Sequence, residues 1–203
     1  MKKISLTILI LLVIASTFSC AISFNKIRQV KDSYKKETIT YLEQKTYARS
    51  LYKKNIFQRD LFTFLTWKNI TNNNSKNNHL SLKLTLSPDK RMGKYLFIKL
   101  DDSIYKIPAD SIHYSNFKGV NTDENIKISK KDSTKTVSID RTQSAYNYNK
   151  ITYIVLITDE LINKIIATKE ISIRFYINKI AKTITLSKPK VKKIKLLFQQ
   201  MES

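Results

Sequence analysis

A chain of 203 residues, 42% of them apolar, is long and apolar enough for one hydrophobic core, and its 37 Lys and Arg against 16 Asp and Glu give a formal charge of +21. The 2 Gly leave no glycine-rich phosphate cradle, and the 1 Cys excludes an intramolecular disulfide. With only 2 His beside that cysteine, no zinc-type ligand set stands at motif spacing.

The chain opens with Met1-Lys2-Lys3, then an apolar run from Ile4 to Ala15 broken only by Ser5 and Thr7. A patch of mostly small residues follows, Ser16-Thr17-Phe18-Ser19-Cys20-Ala21. Basic start, short apolar stretch and small-residue end are the layout of a secretory signal. The apolar run is too short for a permanent membrane span, which takes roughly 20 residues. Residues 1–19 are therefore expected to be a signal peptide, 20–28 a spacer and 29–203 a single domain. Losing Lys2 and Lys3 with the signal would lower the charge from +21 to +19.

Thr17-Phe18-Ser19-Cys20 resembles the relaxed lipoboxes of spirochaetal surface lipoproteins. The resemblance covers the signal and this box, with the Lys-, Ile- and Asn-rich composition beside it. It implies a lipid on the Cys20 thiol, a fatty acid on the freed amine and anchoring in the bacterial envelope, at the outer membrane and cell surface. It further implies a host-facing role in adhesion or immune evasion. Two other readings of the same residues stand beside it: cleavage after Ala21 by the ordinary signal peptidase, and an uncleaved anchor.

From Gln29 to Lys54 no Gly or Pro interrupts, and Val30, Tyr34, Tyr41, Leu42, Tyr47 and Leu51 fall at near-helical spacing. The pattern predicts an N-terminal amphipathic helix. Ile56 to Trp67 is rich in aromatics and its second half reads as a strand, whereas Asn69 to Asn78 reads as a polar loop. His79 to Ser87 alternates strictly, with Leu80, Leu82, Leu84 and Leu86 on one face, which predicts a half-buried strand. A turn at Pro88–Gly93 and a strand from Tyr95 to Leu100 complete a hairpin. Strands are expected at 103–107, 112–117, 135–141 and 151–158, and 118–135 reads as a long loop. Thr158 is placed to cap a helix from Asp159 to about Lys169. A hairpin from 171 to 186 and a helix after Ser187 end the chain, the helix bearing the apolar stripe Val191, Ile194, Leu197, Phe198 and Met201. The sum is an α+β fold: an antiparallel sheet of about six to eight strands, an N-terminal amphipathic helix and two short helices in the C-terminal half.

No constellation of catalytic residues emerges. His79 and His113 have no acidic or thiol partner at ligand spacing on their own elements. Asp101-Asp102 and Asp123-Glu124 are adjacent pairs, and neighbours on a strand point to opposite faces. Ser-x-x-Lys recurs at Ser33/Lys36, Ser50/Lys53 and Ser103/Lys106, without the partner motifs of the penicillin-binding enzymes. Pro88-Asp89 lacks the acidic and Lys residues that would complete a nuclease motif. No enzyme, cofactor or metal site is expected.

The charge points to anionic partners instead. It is densest at Lys188, Lys190, Lys192, Lys193 and Lys195, a candidate patch for an anionic glycan or a host protein. Codon bias toward AT-rich residues accounts for the lysine excess equally well. Specific nucleic-acid recognition is not expected, because base readout leans on Arg and the chain has six. The expected function is a noncatalytic, lipid-anchored surface protein that binds an anionic or protein ligand. The alternative is a periplasmic, lipid-anchored structural or assembly factor of the envelope.

Overall fold

The computed structural model describes residues 24–50, 60–72, 75–131 and 134–200, with the backbone alone at 121, 123–131 and 134–140. The expected signal segment, Cys20 and Met201 lie outside these residues. Ten strands and two helices are found: β1 (Ile27–Asp32), β2 (Glu37–Ser50), β3 (Leu61–Thr71), β4 (Lys76–Leu86), β5 (Tyr95–Leu100), β6 (Ser103–Pro108), β7 (Ser111–Lys131) and β8 (Thr134–Ile157), then α1 (Asp159–Ala167), β9 (Ile171–Ile177), β10 (Ile180–Thr185) and α2 (Lys188–Gln199).

All pairings are antiparallel, in the order β6-β5-β9-β10-β2-β3-β4-β8-β7, with β1 also on β2. β2 is the pivot. One of its edges pairs with β1 from Glu37 to Leu42 and with β10 only at Arg49 and Ser50, so the sheet turns there. The two ends of the order, β6 and β7, are consecutive in the chain and joined by Ala109 and Asp110. From Pro108 to Ser111 the backbone reaches at most about 10 Å, so the sheet must curl until its ends nearly meet. The result is a half-barrel.

Inward residues of seven strands line the concave side, among them Leu42, Leu65, Trp67, Leu82, Ile98, Tyr153 and Phe175, all fully buried. The leucines of β4 face this core, as their alternation predicts. Both helices close it: Leu161, Ile162 and Ile165 of α1 and Val191, Ile194, Leu197 and Phe198 of α2 are buried. Phe198 meets Trp67 edge-on, with ring centroids 6.1 Å apart. Thr158 caps α1 by accepting from the Leu161 amide at 3.3 Å. Ser187 makes no side-chain cap bond; its carbonyl accepts from the amides of Lys190 and Val191 instead.

The expected fold is corrected in several places. The hairpin expected between β4 and β5 does not form: β4 pairs with β3 and β8, and β5 with β6 and β9, because both strands find longer-range partners across the sheet. The chain has ten strands, not six to eight, and two helices among the described residues. The N-terminal amphipathic helix is a β-hairpin, β1 and β2. Its alternation is hidden because the inward positions of β2 include Gln44 and Thr46 beside Leu42 and Ala48, while Tyr41 and Tyr47 face out. Those polar side chains are tolerated inside because the Gln44 amide nitrogen and both threonine hydroxyls are bonded, although Gln44 Oε1 has no partner among the described residues. Gln44 Nε2 donates to Asn25 Oδ1 at 2.8 Å, and the Thr46 and Thr63 hydroxyls are 2.6 Å apart. The turn is polar: Asp32 Oδ1 accepts from the amides of Tyr34 and Lys35, and Lys36 takes a φ of 52°.

The predicted loop at 69–78 is mostly sheet, with Asn69 and Asn78 paired and buried and Asn72 Oδ1 closing a short turn onto the Ser75 amide at 2.7 Å. The predicted loop at 118–135 is a ribbon. β7 and β8 stay paired from Lys118↔Asn147 to Lys131↔Thr134, whereas β4 covers β8 only from Asn149 to Ile157. This two-stranded arm runs about 45 Å past the sheet. Outside the core it needs no apolar face, which is why its sequence resembles a loop. At 177–180 the hairpin turns on two residues, Asn178 and Lys179, with φ of 45° and 70°, a pair suited to the twist of flanking strands.

Candidate ligand-binding face

The outward positions of the sheet form the other surface. Register aligns Lys45, Phe64, Lys83, Thr152 and His113 in one row across β2, β3, β4, β8 and β7. The next row holds Glu43, Thr66, Ser81, Ile154 and Ser111, and the one beyond it Tyr41, Lys68, His79 and Leu156. Rows of this kind arise because side chains at every second position share a face and paired residues stand opposite each other.

Two grooves cross this face. One, of about 510 Å³, has aliphatic and aromatic walls from Val30, Ile39, Tyr41, Ile70 and Ile154 and a polar floor that includes Thr66, Ser81, Lys68 and His79. The other, of about 420 Å³, is bounded by Phe62, Phe64, Phe117 and Lys150. Lys83 and Thr152 line both, so the two are continuous. The Thr66 and Ser81 hydroxyl oxygens are buried and have no hydrogen-bond partner among the described residues. Each can donate a proton and accept one.

Aromatic rings extend the face at one end. Tyr47 contacts Phe62, Phe62 contacts Phe64 and Phe64 contacts Phe24, with centroids 5.4, 4.8 and 5.8 Å apart. On β7 and β8, Phe117, Tyr148 and Tyr146 stack in series at 5.6 and 5.7 Å. The Lys45 ammonium lies 3.8 Å above the Phe24 ring and that of Lys150 lies 4.5 Å above Phe117. Tyr47, Phe62, Phe117 and Tyr146 are all more than a third exposed. Large rings left in water over a contiguous area mark an interaction surface.

The electrostatics favour anions. Lys45, Lys68, Lys83 and Lys150 face outward, against Glu43 and Asp110. Burial holds the His79 imidazole below its ordinary range, Lys68 pushes it the same way and Asp110 opposes both. His79 is thus a neutral donor and acceptor at pH 7.

The five lysines singled out in sequence are divided by the geometry of α2. Lys188, Lys192 and Lys195 fall at i, i+4 and i+7 on one stripe, while Lys190 and Lys193 lie on the other flank. The Lys190 ammonium bonds the Lys45 carbonyl, and burial lowers its pKa. All five are on the helix side of the sheet, away from the aromatic face. His113 joins the row of Lys83, far in sequence from His79 but on the same surface. Asp101 is structural: at φ 49° its carboxylate accepts from the amides of Lys169 and Glu170, which hold it below the usual carboxylate range. No group of three or more metal-ligating side chains occurs among the described residues, and none of their helices is long and apolar enough to cross a membrane. No known protein family, curated protein or solved structure matches this chain.

Proposed function

We propose that this protein is a noncatalytic, lipid-anchored component of a bacterial envelope, held through Cys20 at the cell surface, that binds an anionic ligand on the outer face of its sheet. The observation that supports this is the junction of the two grooves at Lys83, flanked by Lys45, Lys68 and Lys150 and bordered by exposed rings. Lysines supply long-range attraction that salt screens, and the rings and orphan hydroxyls supply short-range contacts that it does not. An acidic glycan meets both, with charged groups for the lysines and sugar faces for the rings.

The test is heparin binding at physiological ionic strength. Lys83→Glu with Lys150→Glu should weaken it by at least about ten-fold, a change of about 1.4 kcal/mol. Lys188→Glu with Lys192→Glu and Lys195→Glu changes the charge more but leaves the grooves intact, and should cost less. Loss that follows only the number of charges removed, wherever they stand, sinks the assignment to this face.

The anchor is tested separately. Fatty-acid labelling of growing cells should mark the wild type and spare Cys20→Ser. Equal labelling of both removes Cys20 from the account. Protease treatment of intact cells then separates surface display from the periplasmic structural role, in which the protein is protected.

A further inference from the structure

A third cavity, of about 530 Å³, opens on the seam where the curled sheet fails to close. Tyr105, Lys106 and Ile107 of β6 stand on one side, Leu156 of β8 on another, and Leu161 and Lys164 of α1 at the end. Among the described residues, no strand satisfies the backbone on either side. On β6, the Ala109 amide donates to the Lys94 carbonyl, so alternate residues 107, 105 and 103 turn their main-chain groups toward β5. Ile104 and Lys106 therefore turn theirs into the seam, as does Pro108, which has no amide to leave orphaned. On β8, the Ile154 carbonyl accepts from the Asp110 amide, and β7 pairing ends there. By the same alternation Leu156 directs its amide and carbonyl toward the seam rather than toward β4.

Two unpaired strand edges thus border one cavity. We infer that this seam is a docking site for an extended peptide strand from a partner protein, which adds to β6 by main-chain hydrogen bonds and completes the wall. Side chains on the strand's inner side would cover Tyr105, Ile107 and Leu161, so they are apolar. Its outer side meets Lys106 and Asp110, and Lys164 is already paired with Glu160 at 2.5 Å, so the charges of the lining itself balance. With the chain's +21 charge as background, acidic residues fit the outer side best. The occupant is a strand that alternates apolar and acidic residues.

The probe is a blocked hexapeptide alternating glutamate and valine, compared with the same peptide N-methylated at every second residue. Both have equal charge, but the second cannot donate along one edge. The full chain should bind the first with a dissociation constant below about 1 mM and the second at least about ten-fold more weakly. Lys106→Pro removes a β6 amide that points into the seam without touching the ladder to β5 and should weaken the unmethylated peptide at least about ten-fold, whereas Lys106→Ala, which loses the same charge but keeps the amide, should weaken it less. In the wild type, hydrogen exchange at the Lys106 and Leu156 amides should slow when peptide is added, a readout that does not depend on the variant folding. No binding at 1 mM, equal binding of the two peptides, or unchanged exchange at both amides overturns the inference.

Discussion

Trp67→Ala is expected to lower the unfolding free energy by about 3–5 kcal/mol, the cost of emptying a large buried site. Trp67 is fully buried at the centre of β3 and packs edge-on against Phe198, so its loss opens the joint between sheet and α2. That is a large share of the roughly 5–15 kcal/mol that stabilises an ordinary domain. Trp67→Phe should cost much less. It keeps most of the packing and removes an indole N–H that has no partner among the described residues. Trp67 is the only tryptophan, so unfolding must be followed by circular dichroism in urea rather than by intrinsic tryptophan emission. A midpoint unchanged in Trp67→Ala would show that α2 does not rest on this ring.

Asn78→Asp should be nearly as damaging at neutral pH and should recover in acid. Asn78 is buried, its Oδ1 accepts from Asn69 Nδ2 at 2.7 Å and its Nδ2 donates to Asp159 Oδ1 at 3.1 Å. The substitution replaces the donor with a second carboxylate oxygen facing Asp159. Both desolvation and the like charge favour the protonated form, so the new group's folded pKa lies above its unfolded value. The folded state then binds more protons, and stability falls as pH rises through that window. The expected loss at pH 7 is about 3 kcal/mol, shrinking toward pH 4. Asn78→Ala loses the same bonds without the charge and should show a constant deficit of about 1–3 kcal/mol. Parallel stability profiles for the two variants between pH 4 and 7 would show that the carboxylates do not face each other.

The outer face was only partly legible in advance. Its strongest local signals are Phe62 and Phe64 of the aromatic cluster and the polar half of the β4 alternation, Ser81, Lys83 and Thr85, opposite the leucines. Nothing local joins Lys45, Phe64, Lys83, Thr152 and His113, which come from five strands and become neighbours only through register. The five lysines of α2 crowd into eight residues of sequence, yet a helix turns near neighbours in different directions.

Elements whose burial is one-sided and apolar are readable from local pattern: β4 from its leucines, α1 from Thr158 and its Leu-Ile face, and α2 from the Val191–Phe198 stripe. The sequence is also the sole source for the expectation of an export signal and of a lipid on Cys20. Long-range contacts settle β2, whose inward Gln44 and Thr46 are met by Asn25, Lys190 and Thr63 from distant parts of the chain. They likewise settle the arm, where strand pairing holds without a buried face, and the half-barrel, where a two-residue link between the end strands forces the curl. Each of these depends on a partner far away in the chain, and a local pattern contains no record of who that partner is.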